Sequence, residues 1–318
     1  MSLLFLTRKE TAGNLWVKNE SSYSSFFRTY LIMMNLSQGL IFSFSTSLLW
    51  AIQIVLQRLI LNQGENPLNL VLWIYLFSTP LWLILFKRHL KEFKELSKKN
   101  KSLLVFIGIS GSIGISFLQS LALKNTTAVN FSFLYRTIVI FTIFFAWIFF
   151  KEKITKKKLL IVISILVGSY LLSTKGQGLR LGIGDVYTLL MAASAAFIAN
   201  ILTKHTTSKM HPDLSGAVTM LVSFLSLFVI SLLTTTIRIP NMLFLIFAAS
   251  LISFFQIRTR NNAYKVATAS FVTMIVSLTP VFVSILSFPL LGERLEAIQL
   301  IGGILIVSSG FLAEKLKR

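Results

Sequence analysis

Ten runs of mainly apolar residues divide this chain, at about 38–60, 67–86, 102–123, 128–150, 157–173, 183–203, 214–236, 240–260, 267–290 and 296–313. About 20 such residues span the hydrocarbon core of a bilayer as a helix. Lipid offers no water to bond, so a spanning segment must satisfy its own N–H and C=O groups. A helix does this within one run. The chain is therefore expected to be an all-α integral membrane protein with ten transmembrane helices. The fifth and tenth runs are short. Beside them, Lys156, Lys157, Lys158, Lys315 and Lys317 can extend their ammonium groups to the headgroups. Only 13% of the 318 residues are charged, against about 25% in soluble domains.

The charge that remains encodes orientation. Formal net charge is +20, which on a soluble protein would suggest nucleic acid. With the N-terminus placed in the cytoplasm, 24 of the 31 Lys and Arg residues fall in cytoplasmic segments and 6 on the opposite side. This is the positive-inside pattern. It predicts cytoplasmic N- and C-termini in the cell (inner or plasma) membrane, with lipids rather than nucleic acid as partner. Met1–Leu6 is too short for a signal peptide. Residues 1–37 read as a polar cytoplasmic tail, with Met33 and Met34 as alternative starts, and 314–318 as a second tail. Trp73, Trp82 and Trp147 fall near predicted span ends, as interfacial tryptophans do. In KRHLKEFKELSKKNK (87–101), Leu90, Phe93 and Leu96 form a rough stripe that fits either a helix on the leaflet surface or a solvated loop.

The chain repeats itself. ALKNTTA (122–128) matches AYKVATA (263–269) at an offset of 141. The same offset places Phe141 on Phe282 and Glu152 on Glu293, so KEKI (151–154) lies on GERL (292–295). WAIQIVLQR (50–58) matches AFIANILTK (196–204) more weakly. Equivalent elements are five crossings apart. Five is odd, so the second copy is inverted, and Arg58 and Lys204 fall on opposite sides. The predicted units are a first five-helix repeat at 38–173, a linker at 174–182 and a second repeat at 183–313. Inverted repeats let two halves exchange conformations around a midplane site, the architecture of secondary carriers.

These residues resemble the drug/metabolite transporter superfamily, EamA type. In that pattern each half has a helix ending A-[LY]-K/R-x-T-x-A, then a helix with a proline, then G-E-R/K-L. The second half carries AYKVATA, Pro280 and GERL, and GD at 184–185 opens the sixth helix. The first half departs: Val139 stands at the proline position and Lys151 at the glycine position. The resemblance implies a permease or exporter of amino acids, nucleotide-like metabolites or drugs. It further implies a cavity lined by helices one, three, four, six, eight and nine.

Arg136 sits within the fourth run, with no acidic residue in the same run. A cation there is costly unless it faces protein, water or a ligand. A guanidinium fork suits a carboxylate or phosphate, while a structural alternative bonds it to backbone carbonyls, Tyr135 or Asn130. Substrate-binding candidates are Arg136, Tyr135, Asn130, Gln53, Gln119, Asn200 and Arg258. Gln57 shares a face with Gln53. The amides could equally join helices together. Arg258 pairs by spacing with Asn262, and Gln256 with Arg260, so the two arginines face different ways. Pro280 is a candidate hinge. Glu152 and Glu293 read as interfacial residues pairing with nearby cations.

Several chemistries are excluded or disfavoured. The chain has no cysteine, which rules out disulfides, thiolate nucleophiles and Cys-ligated zinc or iron–sulfur clusters. His89, His205 and His211 fall in loops or at helix ends, so no metal and no cofactor is expected. GIGD (182–185) matches an intramembrane aspartyl-protease string, but that chemistry needs a carboxylate pair. The only other aspartate is Asp213, in a loop. No G-x-x-x-x-G-K-[ST] loop is present, so ATP is not a direct energy source. The expectation is a secondary transporter, not an enzyme, that moves a small anionic or zwitterionic metabolite by alternating access. An exporter of apolar or cationic compounds on the same fold, a membrane-embedded enzyme, a non-transporting scaffold and a homodimer stay open as alternatives.

Overall fold

A computed structural model describes residues 37–174, 182–234, 237–292 and 296–315. Nearly all of the tail expected over 1–37, most of the linker, and Glu293 lie outside them. Among the described residues the secondary structure is helical, with no strand. The helices are α1 (Ser37–Asn62), α2 (Pro67–Arg88), α3 (Lys98–Asn125), α4 (Ala128–Phe150), α5 (Lys156–Thr174), α6 (Ile183–Lys209), α7 (Pro212–Leu233), α8 (Leu243–Val266), α9 (Ala269–Leu291) and α10 (Ala297–Lys315). Eight of them, all but α5 and α10, are long and apolar enough to cross a membrane. The chain is thus a multi-pass membrane protein. Large apolar side chains such as Ile41, Phe144, Phe149, Leu233 and Phe244 are exposed around the bundle, a surface suited to lipid tails.

The helix ends show why these residues make these elements. Thr127 and Thr268 cap the starts of α4 and α9, each hydroxyl accepting from the backbone N–H three residues on. They are 141 positions apart. The same offset separates Lys151 and Gly292, which end α4 and α9 in the left-handed conformation, at φ 53° and 71°. Glycine fits there without strain. Lysine meets its Cβ clash, which costs about 1–2 kcal/mol. Arg58 donates to the carbonyls of Leu123 and Lys124 at the end of α3. Lys204 donates to those of Tyr264 and Ala267 at the end of α8. Each cation satisfies carbonyls that the ending helix leaves unpaired.

The packing has a regular pattern. α2 packs on α7, α4 on α9, and α5 on α10; α3 meets α7 as α8 meets α2. Adding five to each helix number maps these pairings onto one another. α5 and α10 approach closely because Gly168 faces the backbone: a Cβ there would lie 2.7 Å from the Gly302 carbonyl oxygen and 2.9 Å from Ile306.

Two surface readings change. In the segment after α2, a short helix forms at Leu90–Glu95. Phe93 and Leu96 pack on Leu104, Met210, Leu214 and Val218, leaving only Leu90 of the stripe exposed. That apolar edge is covered by protein, not by the leaflet. Trp82 is buried against Phe254 and Gly216, so it is a core residue and not an interfacial anchor. Trp147 stays exposed, as an anchor would.

Candidate functional site

A central cavity of about 110 Å³ lies between the eight longer helices. Thr46, Trp50, Gln53 and Gln57 of α1 line it, with Tyr75 of α2, Ser116 and Gln119 of α3, and Tyr135 and Arg136 of α4. From the other half come Asn200 of α6, Ser215 and Thr219 of α7, Gln256, Arg260, Asn261 and Tyr264 of α8, and Thr273 and Val276 of α9. Helices α2 and α7 therefore join the six expected from the resemblance. Among the described residues α5 and α10 contribute nothing, and the two pack against each other.

Arg136 is 1% exposed, and its position follows from a break in each half. The 3-10 turn Tyr135–Thr137 interrupts α4 at its middle. α9 breaks at Ser277–Leu278, just before Pro280. Pro280 has no N–H, so the Val276 carbonyl loses its regular helical donor. Arg136 supplies one: its Nη1 donates to Val276 O at 2.9 Å, joined by the Thr279 hydroxyl at 2.6 Å. Arg136 Nε donates to Ser132 O at 3.1 Å. The guanidinium also lies over Trp50 and Tyr135, its carbon 5.2 and 5.3 Å from the ring centroids. Nη2 is buried with no hydrogen-bond partner. One edge of this side chain thus bonds backbone carbonyls and fixes α4 to α9, and one buried nitrogen is left without a partner.

The rest of the lining is polar and partly preorganised. Gln119 donates to Gln57 at 2.9 Å. Asn200 donates to Thr142 at 2.7 Å and accepts from the Tyr264 hydroxyl. Tyr75 and Ser116 share a hydrogen bond. No Asp or Glu is among the described lining residues.

Of the seven substrate-site candidates, five line the cavity: Arg136, Tyr135, Gln53, Gln119 and Asn200. Two lie elsewhere. Asn130 donates to Asp185 at 2.7 Å, and the other oxygen of that carboxylate caps α6 by accepting from Gly182 N. Arg258 forms a two-pronged ion pair with Asp213, at 2.9 and 3.0 Å. Arg260 takes the cavity position instead, with its Nε buried and unpartnered. A signal for this was available: Gln256, Arg260 and Tyr264 recur every four residues on one face of α8, while Asp213, expected in a loop, lies in the first turn of α7 and claims Arg258. Glu152 pairs with Lys158 at 3.4 Å and accepts from Ser270.

Folding also gathers groups that the sequence leaves apart. His89 and His211 stack at 4.1 Å between ring centroids. Glu92 accepts from the His211 backbone N–H at 2.7 Å. Ligand atoms of His89, His211 and Asp213 lie within 4.8 Å of one another. Both Asp213 oxygens are already held by Arg258, so the cluster reads as a latch between the α2–α3 segment and the start of α7. Burial, with His89 beside it, pulls the His211 imidazole pKa below its ordinary 6.5; Asp213 and Glu92 oppose the shift.

A helical membrane bundle enclosing a polar cavity that draws on nearly every long helix has the form of a small-molecule carrier. The EamA-like transporter family matches residues 37–174 and 182–313, and the chain belongs to that family. It is 25% identical to the uncharacterized transporter YyaM of Bacillus subtilis (strain 168) over 67% of this chain and 73% of that one. It is 23% identical to an uncharacterized transporter of Clostridium kluyveri over 86% and 91%. With one of Archaeoglobus fulgidus it shares 27% over 63% of this chain and 65% of that protein. A solved crystal structure has the same fold, with a TM-score of 0.69 at 16% identity, covering 89% of this chain and 99% of the other.

Proposed function

We propose that the protein is a secondary transporter that carries a small anionic or zwitterionic metabolite through the central cavity by alternating access. The observation that carries this is the cavity's charge: Arg136 has a buried, unpartnered nitrogen, and no carboxylate stands among the described lining residues to neutralise it. A buried guanidinium without an anion is costly, and a substrate carboxylate or phosphate removes that cost. The exporter of cationic compounds is disfavoured by the same charge.

The mechanism draws on ten spans in two inverted halves, with α5 and α10 completing the eight longer helices. The repeat of capping and packing at a constant offset supports that reading. In it, the broken helices α4 and α9 meet at Arg136 and flex about Pro280 while the halves rock. Orientation in the cell membrane with cytoplasmic termini follows from the distribution of Lys and Arg.

Purified protein in liposomes tests the proposal. Uptake of carboxylate or phosphate metabolites is expected, and Arg136→Gln should reduce it. Uptake of an anion that is unchanged in Arg136→Gln, with the fold intact by gel filtration, would refute the counter-ion role.

A further inference from the structure

Resting on the reading of the cavity as the substrate site, its charge can be balanced more closely. Two guanidiniums line it, Arg136 and Arg260, each with a buried nitrogen lacking a hydrogen-bond partner. They come from different helices, α4 and α8. Arg136 is pinned to Val276 O and lies over Trp50. Arg260 lies on α8, close enough to Tyr75 and Tyr264 to act on them electrostatically. Tyr135 lines the same cavity, with the Arg136 guanidinium carbon 5.3 Å from its ring centroid. The Asn261 Oδ1 on the same wall is also buried without a donor. A substrate with one negative charge compensates one guanidinium and leaves the other without a counter-ion.

We infer that the substrate carries two separated anionic groups, one held by Arg136 and the other by Arg260. Dicarboxylates and phosphorylated carboxylates share this chemistry, and the experiment separates them. Thermal shifts of the full chain in detergent are recorded with matched probes: butyrate against succinate, valerate against glutarate, and glycolate against phosphoglycolate. The dianion of at least one pair is expected to raise the melting temperature well beyond its monoanion. Which pair responds tells the carboxylate from the phosphate. Arg260→Gln should weaken that dianion by about 30-fold or more, with Arg260→Lys intermediate.

A second readout needs no ligand. Removing an uncompensated cation relieves the empty site, so ligand-free Arg260→Gln should melt at or above the wild type. A lower melting temperature would mean that Arg260 serves the fold, and the inference fails. Monoanions as effective as their dianions would also overturn it, while leaving the anion carrier intact. If no anion of either kind shifts the protein, both readings fall together.

Discussion

At the scale of single residues, most of the polar candidates were readable because their types are rare inside apolar runs. Arg136, Gln53, Gln119 and Asn200 stand out for that reason, and all four line the cavity. The choice between Arg258 and Arg260 was not readable from the run alone. It depends on where Asp213 folds, and Asp213 arrives from the first turn of α7. Arg258→Gln should therefore leave anion binding unchanged in a thermal-shift titration, and a binding loss as large as that of Arg260→Gln would contradict the assignment. Lys151 is a second residue-scale case. Its departure from glycine was visible in KEKI, and its cost appears as a positive φ. Lys151→Gly should stabilise the protein by about 1 kcal/mol, seen as a higher melting temperature, and a lower one would show that the lysine side chain matters more than its backbone.

At the scale of elements, apolar periodicity located the helices but not their interruptions. The break in α4 carries no proline, and nothing in FSFLYRTIVIF announces it. The break in α9 was announced by Pro280, yet its consequence, a free Val276 carbonyl taken by Arg136, is a contact between halves that sequence cannot show. This link makes a definite claim: Arg136→Gln and Pro280→Ala should be non-additive. Pro280→Ala returns an N–H to Val276 O, so each change removes the reason for the other, with a coupling of roughly 0.5–3 kcal/mol in a double-mutant cycle on stability. Additive effects would separate the two residues. The His89–His211 latch predicts a pH effect. Because the folded His211 pKa is lowered, protonation favours the unfolded chain. Stability is then intact above pH 6.5 and falls as pH drops below it. His211→Asn, which keeps a capping oxygen for Asp213 N–H, should flatten that decline in melting curves; an unchanged slope would rule the latch out.

At the scale of the whole molecule, eight helices build the cavity, and α5 and α10 pack on each other. The pairing of α5 with α10 depends on the Gly168 approach, so Gly168→Val should destabilise the protein by about 1–3 kcal/mol. The proposed duplication rests in the sequence on short matched strings such as ALKNTTA and AYKVATA. The sequence could not reveal that α2 and α7 also face the cavity, because their polar contributions, Tyr75, Ser215 and Thr219, are ordinary in any helix. The chain has no cysteine, so one introduced thiol reports alone. The decisive measurement is labelling of Gln53→Cys, inside the cavity, by a membrane-impermeant thiol reagent added to either face of sealed vesicles. Alternating access around an anion site predicts labelling from both faces and protection by the transported anion. Labelling from one face only, indifferent to that anion, would contradict the account.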